Sequence, residues 1–210
     1  MSEETTDLAL QQEQQLPAVP AVQNLLQNTK ALAMINRLAE RYSNSDMVPQ
    51  NYKGKPDNCF VACELASRMD VSPVLVMQNL YIVQGKPSWA GQACKALIDG
   101  SGKFVNSEYV LSGSVADGTM SCHLQAVNKR SGKLVSGPPV TLQMAKDEGW
   151  STKNGSKWRT MPELMLRYRA AAFFARTECP EALMGFQTSE EIEDVRGALV
   201  EPEKITIRMD

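Results

Sequence analysis

The sequence predicts an α+β fold: a small antiparallel β-sheet with a β-hairpin, packed by flanking helices. Three observations predict it. Apolar residues recur at helical spacing early in the chain and again late. Runs of β-forming residues cluster between them. The connections among those runs are turn formers, Ala116-Asp117-Gly118 and Asn128 to Gly132. The order of helices, small sheet, helices argues α+β, and no internal repeat interrupts it. At 210 residues and 43% hydrophobic, the chain can bury the core of one domain with tails.

Taken in order, residues 1–27 read as a disordered, acidic, Gln-rich leader. The first twenty carry four acids and no base, with the run QQEQQ and two prolines. A core is expected over 28–188. Its first helix runs from about Asn28 to Arg41, with Leu32, Ile35 and Leu38 inward. The stretch 43–58 is rich in turn formers and reads as a loop. Asn58 is expected to cap a second helix, Cys59 to Met69, with Phe60, Cys63 and Ala66 on one side. Ser72-Pro73 restarts a short helix through about Gln78. Leu80 to Val83 is a short strand. Gly85-Lys86-Pro87 is expected to turn it, and Ser88 to Ala90 returns as a hairpin. Gln92 to Ile98 is helical and closes at Gly100 or Gly102. Strands follow over Phe104–Leu111 and Met120–Val127. A third, Lys133–Leu142, holds Gly137-Pro138-Pro139 and must be an edge or bulged strand, because proline donates nothing to a ladder. Thr141 to Glu148 is a short helix, and residues 150–158 form a polar turn between two tryptophans.

The element around which the chain is organised is the helix Trp158 to Arg176. Thr160 and Glu163 have the spacing of a capping box, and Pro162 suits the first turn. Leu164, Tyr168, Ala171 and Ala175 form one line; Met165, Arg169, Ala172 and Arg176 form another. Little of this helix is expected to face water. Its arginines therefore need anionic partners, since an unpaired buried charge costs several kcal/mol. Those partners are carboxylates of the same protein or a polyanion brought in; the helix alone leaves both open. An acidic helix from about Ser189 to Leu199 and a tail complete the chain at 210.

Net charge is −2, but it is unevenly spread. Residues 21–176 carry nineteen Lys and Arg against eleven Asp and Glu, a net of +8, whereas residues 177–210 carry a net of −6. A basic body between acidic ends attracts polyanions, with the tails competing for the same surface; alternatively the tails only aid solubility. No apolar run approaches the ~20 residues of a membrane span, and the acidic start is not a secretory signal. Five cysteines, mostly in apolar surroundings, suit buried thiols in a reducing cytoplasm. Enzyme signatures are absent: there is no phosphate-cradling ATP loop and no GxGxxG. No Ser/His/Asp set is argued from the single histidine, His123, which lies in an expected strand beside Cys122 and reads as structural. Cys59 and Cys63 share a helix face, but no second pair has zinc-finger spacing. No cofactor or metal is expected. The enzyme alternative, a nuclease or small-molecule enzyme, needs a carboxylate cluster in a pocket.

Basic residues beside aromatics and turn glycines recur: Tyr52-Lys53-Gly54-Lys55, Gly85-Lys86-Pro87-Ser88-Trp89, and Lys153-Asn154-Gly155-Ser156-Lys157-Trp158-Arg159. Such loops suit phosphates, and aromatics stack on bases. The plainer alternative is that Trp89 and Trp158 belong to the core and the lysines are ordinary surface.

Two stretches resemble the RecT/Redβ family of phage single-strand annealing proteins. Residues 64–104 are similar to the family's segment of helix, small turn (here Asp70-Val71-Ser72-Pro73), strand, basic hairpin at Gly85-Lys86, and helix closing before Gly102-Lys103-Phe104. The helix over 158–176 is similar in its Trp158, Pro162, Met165-Leu166-Arg167, Arg169 and Ala175-Arg176. With the chain between them they cover about half the protein. The resemblance implies a protein that coats single-stranded DNA as homo-oligomeric rings or helical filaments. It implies annealing of a complementary strand through a duplex intermediate without nucleotide hydrolysis. Lys86, Arg169 and Arg176 would contact phosphates, and Trp158 would brace the groove or touch the strand. Arg159, Arg167, Lys53, Lys55 and Lys95 complete the DNA-binding candidates. The chain departs from the family at the second hairpin lysine, where Pro87-Ser88-Trp89 stand, and at Glu163, where relatives often have a base. Relatives also carry a C-terminal module for an exonuclease or the host single-strand-binding protein. The implied setting is the cytoplasm of a bacterial host, with a phage or prophage origin and no membrane partner. The alternative from another class is a nonspecific single-stranded DNA or RNA protector without annealing activity.

Overall fold

The computed structural model describes residues 28–83 and 85–192. The expected leader, and all but the first residues of the acidic helix and tail, lie outside the described residues. The chain groups into two compact units, one ending at Val76 and one beginning at Met77. Among the described residues no helix is long and apolar enough to cross a membrane.

In the first unit, α1 (Thr29–Ser43) starts at Asn28, whose side-chain oxygen accepts from the N–H groups of Lys30 at 3.1 Å and Ala31 at 3.2 Å. Such a cap satisfies donors that the first turn leaves without a partner. Ile35, Ala39 and Ser43 are buried, and α1 packs against α2 (Pro56–Met69). The second helix begins at Pro56 rather than Cys59, because the fixed φ of proline suits the first helical position. Asn58 is therefore not its cap; its amide instead donates to the Asn51 carbonyl at 2.7 Å. Asp70 closes α2 in the left-handed region, at φ 52°. The chain then enters α3 (Pro73–Asn79), within which the boundary after Val76 falls.

The second unit is α+β, as expected, with two small sheets. β1 (Leu80–Val83) pairs antiparallel with β2 (Lys86–Trp89). Val83 pairs with Lys86, so Lys86 and Pro87 are strand residues and the reversal falls ahead of them, with Gly85 at φ 77°. Next come α4 (Ala93–Gly100), β3 (Phe104–Ser112) and β4 (Ser121–Asn128). The third expected strand is split by its prolines into β5 (Leu134–Ser136) and β6 (Val140–Thr141), both antiparallel to β4. Between them the Gly137 N–H still donates to the Leu124 carbonyl at 2.9 Å; Pro138 and Pro139 have no N–H to add.

α5 (Leu142–Asp147) is capped by the Thr141 hydroxyl, which accepts from the Met144 N–H at 2.9 Å. The expected long helix is two elements: α6 (Lys157–Thr160) and α7 (Pro162–Glu178). Met161 breaks them at φ −138°, ψ 56°, because a residue before proline is disfavoured in the α region. The capping box is consequently not formed. Glu163 pairs instead with Arg167, one turn along, at 2.6 Å. Past α7, a 3-10 turn (Pro180–Leu183) leads to β7 (Gln187–Thr188), which pairs in parallel with β2; residues 189–192 begin a helix.

α7 lies on the face of β4 that buries Cys122, Leu124 and Ala126. Its Leu166, Ala170, Ala171, Ala172, Phe174 and Ala175 are almost wholly buried. Ala170 and Leu166 meet Trp150, Trp158 and Val140 in the core beneath.

Candidate nucleic-acid interface

The site is built where the 150–157 loop folds against α7. Gly149 at φ 70° and Gly155 at φ 73° allow its reversals. Ser156 then fixes the return: its hydroxyl donates to the Trp150 carbonyl at 2.6 Å and accepts from the Trp158 N–H at 3.3 Å. This brings Trp158 onto Trp150, with ring centroids 5.3 Å apart. Arg169 reaches the same place from α7, and its guanidinium carbon lies 4.1 Å from the Trp150 ring centroid. A guanidinium over an indole face is held by the negative quadrupole of the ring.

Together these residues border a groove of about 360 Å³. One wall is Met165, Tyr168 and Arg169 of α7 over the floor of Trp150 and Trp158. The other is the loop with Lys153, Asn154, Gly155 and Lys157, and Ser189 and Glu190 close the far rim. A smaller cavity shares Trp158, Met165, Tyr168, Arg169 and Glu190 with the groove and is also lined by Gly91, Ala172 and Thr188. Among the described residues the groove lining holds three basic side chains, Lys153, Lys157 and Arg169, and the carboxylate of Glu190. That carboxylate is tied back, since Glu190 Oε1 accepts from the Gly91 N–H at 3.3 Å. A side chain at Gly91 would put its Cβ 2.8 Å from the same oxygen, so glycine is what lets Glu190 sit there.

Of the expected DNA-binding residues, the groove gathers Trp158 and Arg169. Trp158 is 7% exposed and braces the groove as part of the core, so it offers no free face for a base. Arg159 is exposed on α6. Arg167 is paired with Glu163 and lies over the Tyr109 ring, its guanidinium carbon 5.4 Å from the centroid. Arg176 has a carboxylate of the same protein as its partner: its Nε donates to Glu191 Oε1 at 2.7 Å and its Nη2 to the other oxygen of the same carboxylate. Lys86 is exposed on β2. Lys95 is held by Asp99 at 2.8 Å and donates to the Ser107 hydroxyl at 2.6 Å. Lys53 and Lys55 belong to the first unit, where Lys53 pairs with Asp46.

Trp89 is fully buried, with its indole N–H donating to the Leu183 carbonyl at 3.0 Å. It is a core residue, as the plainer alternative has it. Lys153 and Lys157, from the third of the basic loops, line the groove together with Trp150 and Tyr168, although none of the four is among the named DNA-contact residues. A signal for the two lysines was present, since they flank Gly155 between two tryptophans. Among the described residues no group of three or more His, Cys, Asp and Glu could hold a metal. Compared with known protein families, with characterised proteins and with solved structures, the chain matches none.

Proposed function

We propose that the protein binds single-stranded DNA by its phosphate backbone at the α7 groove. As its resemblance to the RecT/Redβ family implies, it then anneals a complementary strand without nucleotide hydrolysis. The observation that carries this reading is the placement of Lys153, Lys157 and Arg169 around one open groove, on a floor of Trp150 and Trp158, whose rings pack at a 35° tilt. Lysines on a mobile stem and an arginine fixed on an aromatic face both suit phosphate oxygens. Contacts of that kind ignore sequence and leave base edges free, which pairing with a second strand requires. Each protomer offers few cations, so tight binding calls for a homo-oligomer arrayed along the strand. An exonuclease or a host single-strand-binding protein is the proposed partner class, in a bacterial cytoplasm.

The test is the variant K153Q/K157Q/R169Q in an anisotropy titration with a labelled oligonucleotide across a salt series. Three lost contacts should flatten the slope of log K against log salt by about 2, at about 0.7 per single-strand phosphate contact. An unchanged slope and affinity would refute the groove assignment. Mixing complementary oligonucleotides with the wild-type protein then separates annealing from protection: an annealer speeds duplex formation, and a mere protector slows it.

A further inference from the structure

A second basic surface lies on α1, in the first unit. Lys30, Met34, Arg37 and Arg41 recur at steps of four, three and four, which places them on one line of the helix. All four are exposed, Met34 at 64%. Their line is opposite the buried Ile35 and Ala39, so packing does not account for it. The three cations span about 16 Å along the axis at 1.5 Å per residue. None forms an ion pair with a carboxylate among the described residues. Glu40, the one acid of this helix, sits about 60° round from Arg37. Nor does the helix itself ask for charge at its start, although Arg41 in the last turn suits the dipole. Lys30 stands in the first turn, which holds no acid and where the helix dipole disfavours a cation.

A straight row of cations with no carboxylate partner among the described residues complements an extended polyanion, and an exposed thioether within the row gives a base a sequence-tolerant apolar contact. Resting on the reading that this protein binds nucleic acid, we propose that the exposed line of α1 is a second phosphate-backbone site for a single strand. It is built from residues other than those of the α7 groove. Lys30, Arg37 and Arg41 take successive phosphates, and Met34 meets a base between them.

The experiment titrates full-length K30Q/R37Q/R41Q with a labelled oligothymidylate across a salt series, beside wild type and K153Q/K157Q/R169Q. Glutamine keeps helix propensity at these exposed positions, and circular dichroism checks the fold. The expected result is a salt slope shallower by about 2 and affinity at least about tenfold weaker at low salt. The single variants R37Q and R41Q should each take about 0.7 from the slope. If wild type binds no oligonucleotide at all, the functional reading itself fails. If wild type binds and the triple variant keeps both slope and affinity, the α1 site alone is overturned. If the variant changes only sedimentation without oligonucleotide, the row holds an acidic segment of a second copy, and that also overturns it.

Discussion

Arg169 and Arg176 share one line of α7, yet their surroundings differ. Arg169 is 6% exposed, stacked on Trp150 and open to the groove. Arg176 is taken by Glu191, which also accepts from the Thr188 N–H at 2.8 Å, while the Thr188 hydroxyl accepts from the Glu191 N–H at 3.3 Å. That reciprocal pair is a capping box, and Arg176 locks it in place. Burial pushes the Glu191 carboxyl up, but the Arg176 and Thr188 hydrogen bonds more than offset this and hold it below its usual 4.5. A lowered folded pKa stabilises the protein at neutral pH. The contribution is lost as pH falls below 4.5 through the folded value. Arg176→Ala should therefore cost about 1 kcal/mol, a modest figure because this arginine is partly solvated. Faster amide exchange at Thr188 and Glu191 would report it locally, and Glu191→Gln should remove that share of the acid sensitivity in a pH series of urea melts. Oligonucleotide binding in Arg176→Ala should change far less than in Arg169→Ala. An equal loss in both would restore Arg176 as a direct phosphate contact.

At the scale of elements, close approach decides the packing of α7. Gly137, between β5 and β6, faces Phe174, and a Cβ there would fall 3.0 Å from the Phe174 Cα. Backbone atoms at that distance have no room to give, so Gly137→Ala should push α7 off β4 and cost about 1–3 kcal/mol, read as a lower urea midpoint. A gain is predicted at the end of α2, where Asp70 holds φ 52°. Asp70→Gly relieves that conformation and should stabilise by up to about 1 kcal/mol. Elements whose signals are local were legible in the sequence: Asn28 before α1, Thr141 before α5, and the Leu80–Val83 strand and its return. The misread boundaries are those where two local signals compete. At Asn58 a good cap lost to Pro56, which can open the helix earlier. At Thr160 a capping box lost to the constraint that Pro162 places on Met161. β7 was illegible because a two-residue strand has no periodicity to read; it exists because its partner β2 is there.

At the scale of the molecule, the groove was legible only in pieces. Trp158 and Arg169 stood out, but the pocket joins residues 150–157, 165–169 and 189–190, and no spacing in the sequence states that they meet. The thiols, in contrast, were legible as a set, because a cysteine among apolar neighbours is nearly always inside. All five are free and buried. Burial pushes Cys63, Cys122 and Cys179 up to about 11 and Cys94 to about 12, and raises Cys59. The thiolate is the reactive form, so a thiol raised by two units is about a hundredfold less ionised at mildly alkaline pH. Cys59 and Cys63 lie in the first unit and the other three in the second, so labelling samples both. The native protein should therefore take up no charged maleimide on the timescale in which denatured chain takes up five, counted by intact mass. With reagent in excess, the rate of labelling at each cysteine reports the opening of the unit that holds it. Rapid native labelling of Cys94, fully buried beside α7, would mean that the packing of α4 and α7 is far looser than described.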